Sequence, residues 1–186
     1  MPHQISSCRR NFLRKIGGLT AGLAVSSTAF AKLPATPYER SLQFYNLHTG
    51  ESLNTVFSIE GRFVKESLQD INHLLRDHRT DEVRAIDPRL LTLLDDLKNL
   101  VGNKQPFHII SGYRSPATNQ MLNQQSNGVA KQSLHMKGMA IDIRVPGVDT
   151  RALQKSALSL QGGGVGLYTR SDFVHVDVGR VRSWGS

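Results

Sequence analysis

S-L-H-M-K-G-M-A-I-D-I-R-V, Ser133 to Val145, sets His135 seven positions before Asp142, with Gly138 between them and an apolar alternation at the end. Met139 to Val145 alternates as a strand does, which places Asp142 inside a sheet. An ionised carboxylate there is costly unless something pairs with it. Two readings meet that demand. Asp142 is one ligand of a metal ion, or it is hydrogen-bonded to backbone with histidines left at the rim of the sheet.

A second stretch bears on the choice. F-V-H-V-D-V, Phe173 to Val178, alternates strictly. His175 and Asp177 therefore share one strand face with Phe173, while Val174 and Val176 point the other way. A zinc site that does chemistry takes three protein ligands and keeps one position open. His135, Asp142 and His175 supply two imidazoles and a carboxylate. The remaining histidines past the N-terminal segment lack such company: His73 and His78 lie five apart in a helical pattern, His48 sits by a turn and His108 in a strand. These are expected to be structural or solvated. Spacing alone leaves both readings of Asp142 standing.

The rest of the chain frames these stretches. Ser41 to Ser58 has the pattern of a hairpin with Thr49-Gly50 near its turn. Phe63 to Arg79 is helical in spacing, through Leu68, Ile71, Leu74 and Leu75. Asp87-Pro88 is a cap and first-turn proline ahead of a stripe of Leu90, Leu91, Leu94, Leu97 and Leu100. Phe107 to Ile110 is a short strand, and Ser115-Pro116 opens a helix through about Gln125. A polar loop, 126–133, leads into the opening stretch. Asp149 caps a helix to Leu160, Gln161 to Gly164 ends it, and Val165–Tyr168 with Phe173–Val178 forms a second hairpin. Helices lead and short strands gather late. That order predicts an α+β fold whose small, mostly antiparallel sheet carries packed helices.

The N-terminus is read apart from the fold. Ser6 to Lys15 holds paired arginines before Phe12-Leu13, an uncharged run follows, and Ala29-Phe30-Ala31 is a cleavage pattern. Residues 1–31 are expected to be a signal peptide of the twin-arginine type. An ordinary secretion signal and a retained anchor are the alternatives. The boundary leaves residues 32–186 as a single domain, with Lys32 to Tyr38 a short linker. Residues 1–31 carry Arg9, Arg10, Arg14 and Lys15 and no acid, so removing them takes the net charge from +8 to +4. Charge alone does not mark the remainder as a nucleic-acid binder. Its one cysteine, Cys8, leaves with the signal, so a disulfide framework is excluded and any metal site must use His, Asp or Glu.

Ser133-x-His135-x-x-Gly138-x-Ala140-x-Asp142 resembles the signature of the D-alanyl-D-alanine metallopeptidases, which group with lysostaphin-type peptidases and the hedgehog domain. S-G-Y-R-S upstream and D-F-V-H-V-D downstream fall in the family's order, so the likeness covers Ser111 to Asp177. Within the group the chain is most similar to exported murein endopeptidases, and the Phe63–Gly102 region and the G-G-G-V-G-L-Y run agree. The resemblance implies the zinc peptidase fold of that group and Zn2+ held by His135, Asp142 and His175. It implies Asp172 as general base, Arg114 as the donor to the oxyanion, and Ser133 with Arg114 as substrate-binding residues. One departure is Phe173, where some members carry histidine; this puts the weight of proton transfer on Asp172. Asp177 is a candidate for orienting an imidazole.

The implied function is a periplasmic zinc metallopeptidase that hydrolyses peptidoglycan (murein) cross-links at the L,D bond between two diaminopimelate residues. The twin-arginine export machinery is its expected partner, with no nucleic acid and no stable membrane insertion after signal cleavage. The alternatives are a D,D-carboxypeptidase or D,D-endopeptidase, and a murein-binding zinc module without turnover.

Overall fold

The computed structural model describes residues 37–102, 104–125 and 129–185. The expected signal segment, nearly all of the linker and part of the polar loop lie outside them. Strands β1 (Glu39–Asn46) and β2 (Ser52–Ile59) form the first hairpin. Its turn follows from Asn46, whose Oδ1 accepts from the N–H of His48 and Thr49 at 2.9 and 3.2 Å, and from Gly50 at φ 73°. A two-residue strand, β3 (Arg62–Phe63), precedes α1 (Lys65–Leu74). The helical pattern over 63–79 is thus shorter at both ends than expected. Phe63 joins the sheet, and beyond Leu75 the backbone bonds into a loop closed by Asp77 N–H on Glu82 O.

Helix α2 (Pro88–Val101) begins where its sequence says. Asp87 accepts from Arg89 N–H, Pro88 fills the first turn, and Gly102 closes the helix in the left-handed region at φ 65°. Leu90, Leu91, Leu94 and Leu97 are fully buried, whereas Leu100 is exposed. After β4 (Phe107–Ser111) come α3 (Pro116–Gln125) and a single 3-10 turn, Leu134–Lys137. Strand β5 (Ala140–Arg144) leads to α4 (Thr150–Ser159), capped by Asp149 Oδ1 on the N–H of Arg151 and Ala152. The hairpin β6 (Gly164–Tyr168) and β7 (Phe173–Asp177) follows, and β8 (Arg182–Trp184) ends the described chain.

All eight strands form one sheet in the order β3-β2-β1-β4-β5-β7-β6-β8. The α+β class is as expected, but the sheet is large rather than small. It is also mixed, because β1 runs parallel to β4 and β6 parallel to β8. Helix α1 packs on β2, α2 on β1 and on α4, and α4 on β6 and β7. Ile141, Ile143, Val174 and Val176 join the α2 leucines, Phe44 and Phe57 in a continuous core. The alternate residues of β5 and β7 are thereby turned the other way.

Arg114 is placed by a buried carboxylate in the loop after α1. Asp77 is 1% exposed and accepts from the N–H of Ser115 at 2.7 Å and of Arg79 at 2.9 Å. Burial alone would raise its pKa. Hydrogen bonds from Thr118, Arg79 and Ser115 outweigh burial and hold it at about 2. A carboxylate held below its ordinary value stabilises the fold above that value, and the contribution disappears as pH falls through the folded pKa. Asp77→Asn should therefore cost about 2 kcal/mol at pH 7, measured by urea denaturation. The gap from the wild type should close between pH 4 and pH 2.

Candidate metal centre

In β5, Asp142 sits opposite His175 of β7. Directly paired residues on one face have Cβ atoms about 5 Å apart, so the register alone brings these two side chains into contact. His135 arrives from the 3-10 turn. Ser133 caps that turn by accepting from His135 N–H at 3.3 Å, and Gly138 ends it at φ 67°. A Cβ on Gly138 would lie 2.3 Å from the carbonyl oxygen of Ala85. The glycine of the motif is there for close approach and a left-handed backbone together.

Three ligating atoms converge. His135 Nε2 lies 3.2 Å from His175 Nδ1 and 3.3 Å from Asp142 Oδ1, and His175 Nδ1 lies 2.9 Å from Asp142 Oδ1. The far nitrogens fix the tautomers. His135 Nδ1 donates to Gly112 O at 2.7 Å, and His175 Nε2 donates to Asp177 Oδ2 at 3.1 Å. When both rings are neutral, their inward nitrogens carry lone pairs directed at the same point as the Asp142 carboxylate. Such a set of donor atoms suits a cation. A tetrahedral ion with arms of about 2.0–2.1 Å spans edges of about 3.3 Å between its ligands, and the three separations match such a face. The residues therefore fit a divalent ion.

The titration behaviour has the same cause. Burial opposes charge on His175, but hydrogen bonds with Asp142 and Asp177 outweigh it and raise its pKa to about 9. Burial lowers His135. Burial would raise Asp142, yet the two imidazoles overcome it and hold the carboxylate ionised. A proton on His175 and a divalent cation answer the same electrostatic demand.

Beside the cluster opens a cavity of about 570 Å³, lined among others by Arg114, Ser133, Tyr168 and Phe173. Arg114 is nearly buried. Its Nη2 stands 3.3 Å from both Asp142 Oδ2 and Ser111 Oγ, and its buried Nε has no hydrogen-bond partner among the described residues. Such a guanidinium keeps donors for an incoming oxygen. Phe173 stacks on Tyr168 at 4.5 Å, and both rings line the cavity.

Asp172 is placed differently from the ligands. It stands in the β6–β7 turn at φ 51° between Ser171 and Phe173, which line the cavity, but does not line it itself. Its side chain is 62% exposed, accepts from Thr150 Oγ1, and pairs with Arg144 at 3.7 Å. Sequence reasoning missed Ser111, Arg182 and Trp184. The last two come from a three-residue strand too short to show a period. The other histidines lie apart from the cluster: His48 and His78 stack at 3.8 Å, and His108 tilts against Tyr45.

Two strands of a mixed sheet, a 3-10 turn and a loop together present two imidazoles, a carboxylate and an arginine at an open cavity, the layout of a metal-dependent hydrolase. The comparisons agree on which one. Residues 34–184 match the M15 peptidase family model described as "Peptidoglycan L,D-endopeptidase MepK". The protein of that name from Escherichia coli K12 is 45% identical over 177 residues, covering 94% of this chain and 96% of the relative. The Shigella flexneri protein has the same figures. The "Probable peptidoglycan L,D-endopeptidase MepK" of Haemophilus influenzae is 41% identical over 170 residues, 91% of each chain. The chain belongs to this peptidase family, as the three motifs had indicated.

Metal analysis of the purified protein should find one divalent ion per chain after equilibration, and none in Asp142→Asn or His135→Ala. Saturating ion at 100 times its Kd should raise the stability of the wild type by about 2.7 kcal/mol, read as a shifted thermal midpoint. Wild-type uptake retained in Asp142→Asn would contradict the assignment.

Proposed function

We propose that this chain is an exported zinc endopeptidase that cuts the L,D bond between two diaminopimelate residues in peptidoglycan cross-links. The observation that carries the reading is the convergence of His135, Asp142 and His175 at a cavity that Arg114 also lines. Zn2+ held by those three residues would supply a polarised carbonyl and a water acidic enough to react near neutral pH.

The chain's own groups complete the chemistry. Arg114 donates to the oxygen that becomes negative as the carbonyl is attacked, and it is already desolvated, so little reorganisation is needed. Asp172 takes the proton of the attacking water and returns it to the leaving amine. Asp142 and Asp177 are unsuited to that task. Asp142 faces the ion and Arg114, and Asp177 is wholly buried among donors. Asp172 is the carboxylate at the cavity's edge that remains open to solvent. Ser133 and Arg114 orient the substrate's polar groups, and the Tyr168–Phe173 stack excludes water from one side.

The L,D assignment is supported by the names of the relatives. We assign residues 1–31 to a twin-arginine signal peptide, residues 32–186 to the single peptidase domain, and the mature protein to the periplasm. No helix among the described residues is long and apolar enough to cross a membrane.

The test is incubation of the mature chain with isolated murein, followed by mass spectrometry of the muropeptides. Dimers joined between diaminopimelates should disappear, and chelator should preserve them. Arg114→Lys should lower kcat by about 10²–10³, and Asp172→Ala should lower kcat without loss of bound zinc. Loss of D-alanine-linked dimers instead would move the activity to D,D chemistry. Retention of murein with no new products would make the chain a binding module.

A further inference from the structure

Behind His175 lies a second buried carboxylate with an unusual set of partners. Asp177 is fully buried on the same face of β7. Its Oδ1 accepts from the N–H of Gly164 at 3.0 Å, from Gly179 at 2.8 Å and from Arg182 Nη1 at 3.2 Å. Its Oδ2 accepts, among the described residues, from Arg182 Nη2 at 2.7 Å and His175 Nε2 at 3.1 Å. Arg182 thus holds the very oxygen on which the histidine depends. Arg182 belongs to β8, two strands away from β7 in the sheet. It is kept there by Arg180 O at 3.0 Å and lies 4.9 Å from the ring of Trp184. Trp184 in turn donates from Nε1 to Tyr168 Oη at 3.0 Å and stands 5.1 Å from the His175 ring.

The sequence around this cluster is cut to its shape. A Cβ on Gly164 would lie 2.3 Å from Arg182 Nη1 and 2.5 Å from Asp177 Oδ2, and one on Gly166 would lie 2.4 Å from Trp184 Cε2. The G-G-G-V-G run leaves the space that Arg182 and Trp184 occupy.

We propose that Arg182 is a positioning residue of the metal centre: its two-pronged grip on Asp177 fixes the plane and tautomer of His175, and so aims Nδ1 at the ion. The inference rests on the reading of His135, Asp142 and His175 as metal ligands. Groups that hydrogen-bond to a ligating histidine set its ring orientation and typically contribute 10–100-fold to metal affinity. Arginine suits the task because its rigid fork meets both carboxylate oxygens, which a lysine ammonium does not do with the same geometry. With the fork removed, Asp177 keeps, among the described residues, its two backbone donors on Oδ1 and His175 on Oδ2. The carboxylate can then turn about its last bond, and the imidazole turns with it.

The experiment uses the mature chain as wild type, Arg182→Met, Arg182→Lys and Gly164→Ala. The last keeps the arginine but wedges the fork from Asp177. Zn2+ affinity is measured by competition with a chromophoric chelator, and ligand geometry by the visible absorption of the Co2+-loaded protein. Melting of the metal-free proteins reports on the fold. Arg182→Met should bind Zn2+ about 10–100-fold more weakly with an altered Co2+ spectrum, Arg182→Lys should fall between it and the wild type, and Gly164→Ala should move the same way. On murein, kcat should fall with KM little changed. Wild-type affinity and spectrum in Arg182→Met would overturn the proposal. Should that variant not fold, wild-type values in both Arg182→Lys and Gly164→Ala overturn it. A wild type that binds no metal removes the ligand reading and this inference together. A wild type that binds metal alongside unperturbed variants removes this inference alone.

Discussion

The register between β5 and β7 is the constraint on which the site depends. Asp142 faces His175 because Ile141 faces Val176 and Ile143 faces Val174. The four apolar residues are buried in the core. Their hydrophobic burial, on the order of 2 kcal/mol each, fixes the pairing. A slip of β7 by one residue would turn His175 into the core and Val174 and Val176 outward, leaving Asp142 opposite a valine. The polar cluster is thus held in register by the apolar face behind it. It needs that support, since a buried carboxylate and two imidazoles are brought together at the cost of their desolvation, which only a proton or a cation offsets.

Much of this was legible in the sequence, for reasons that differ by element. Helices α2 and α4 announce themselves through Asp87-Pro88 and Asp149, because caps and first-turn prolines act locally. The two hairpins follow from alternation between turn residues. The sheet's extent was not legible. Strands β3 and β8 are two and three residues long, with no period to read, and the parallel pairing of β1 with β4 is a tertiary choice. The convergence of His135, Asp142 and His175 was legible because alternation gives the face and the motif gives the residues. The partners of the far nitrogens were not. One is a backbone carbonyl, Gly112 O, and backbone groups carry no sequence signature.

Asp172 shows the limit of carrying roles by motif. The family pattern gives its position three residues before His175, but the side chain is held by Thr150 at the start of α4 and by Arg144 at the end of β5. Those contacts join the β6–β7 turn to two other elements. Arg144 also donates to Ser171 O at 3.1 Å, so the turn that carries Asp172 is tied to the strand that carries Asp142. The spacing of Asp172 and Asp142 is thereby shared between β5 and the turn rather than left to the turn alone.

The motifs span only Ser111 to Asp177, yet the N-terminal half of the fold is needed to place Arg114. Asn46 of β1 donates to Leu74 O at 3.0 Å, which pins the end of α1. Leu75 O then accepts from Tyr113 N–H at 2.7 Å. Gly112 fits against Leu75, where a Cβ would lie 2.5 Å from that same oxygen. Two residues on, Asp77 takes the N–H of Ser115. Arg114 is bracketed by these anchors, so its guanidinium is delivered to Asp142 by the first hairpin and α1 as much as by its own loop. A bulge between Ile109 and Ser111, where β4 pairs with β5, sets Ser111 opposite Asp142 and completes the approach. The C-terminal half carries the cluster, and the N-terminal half sets the distance between Arg114 and Asp142.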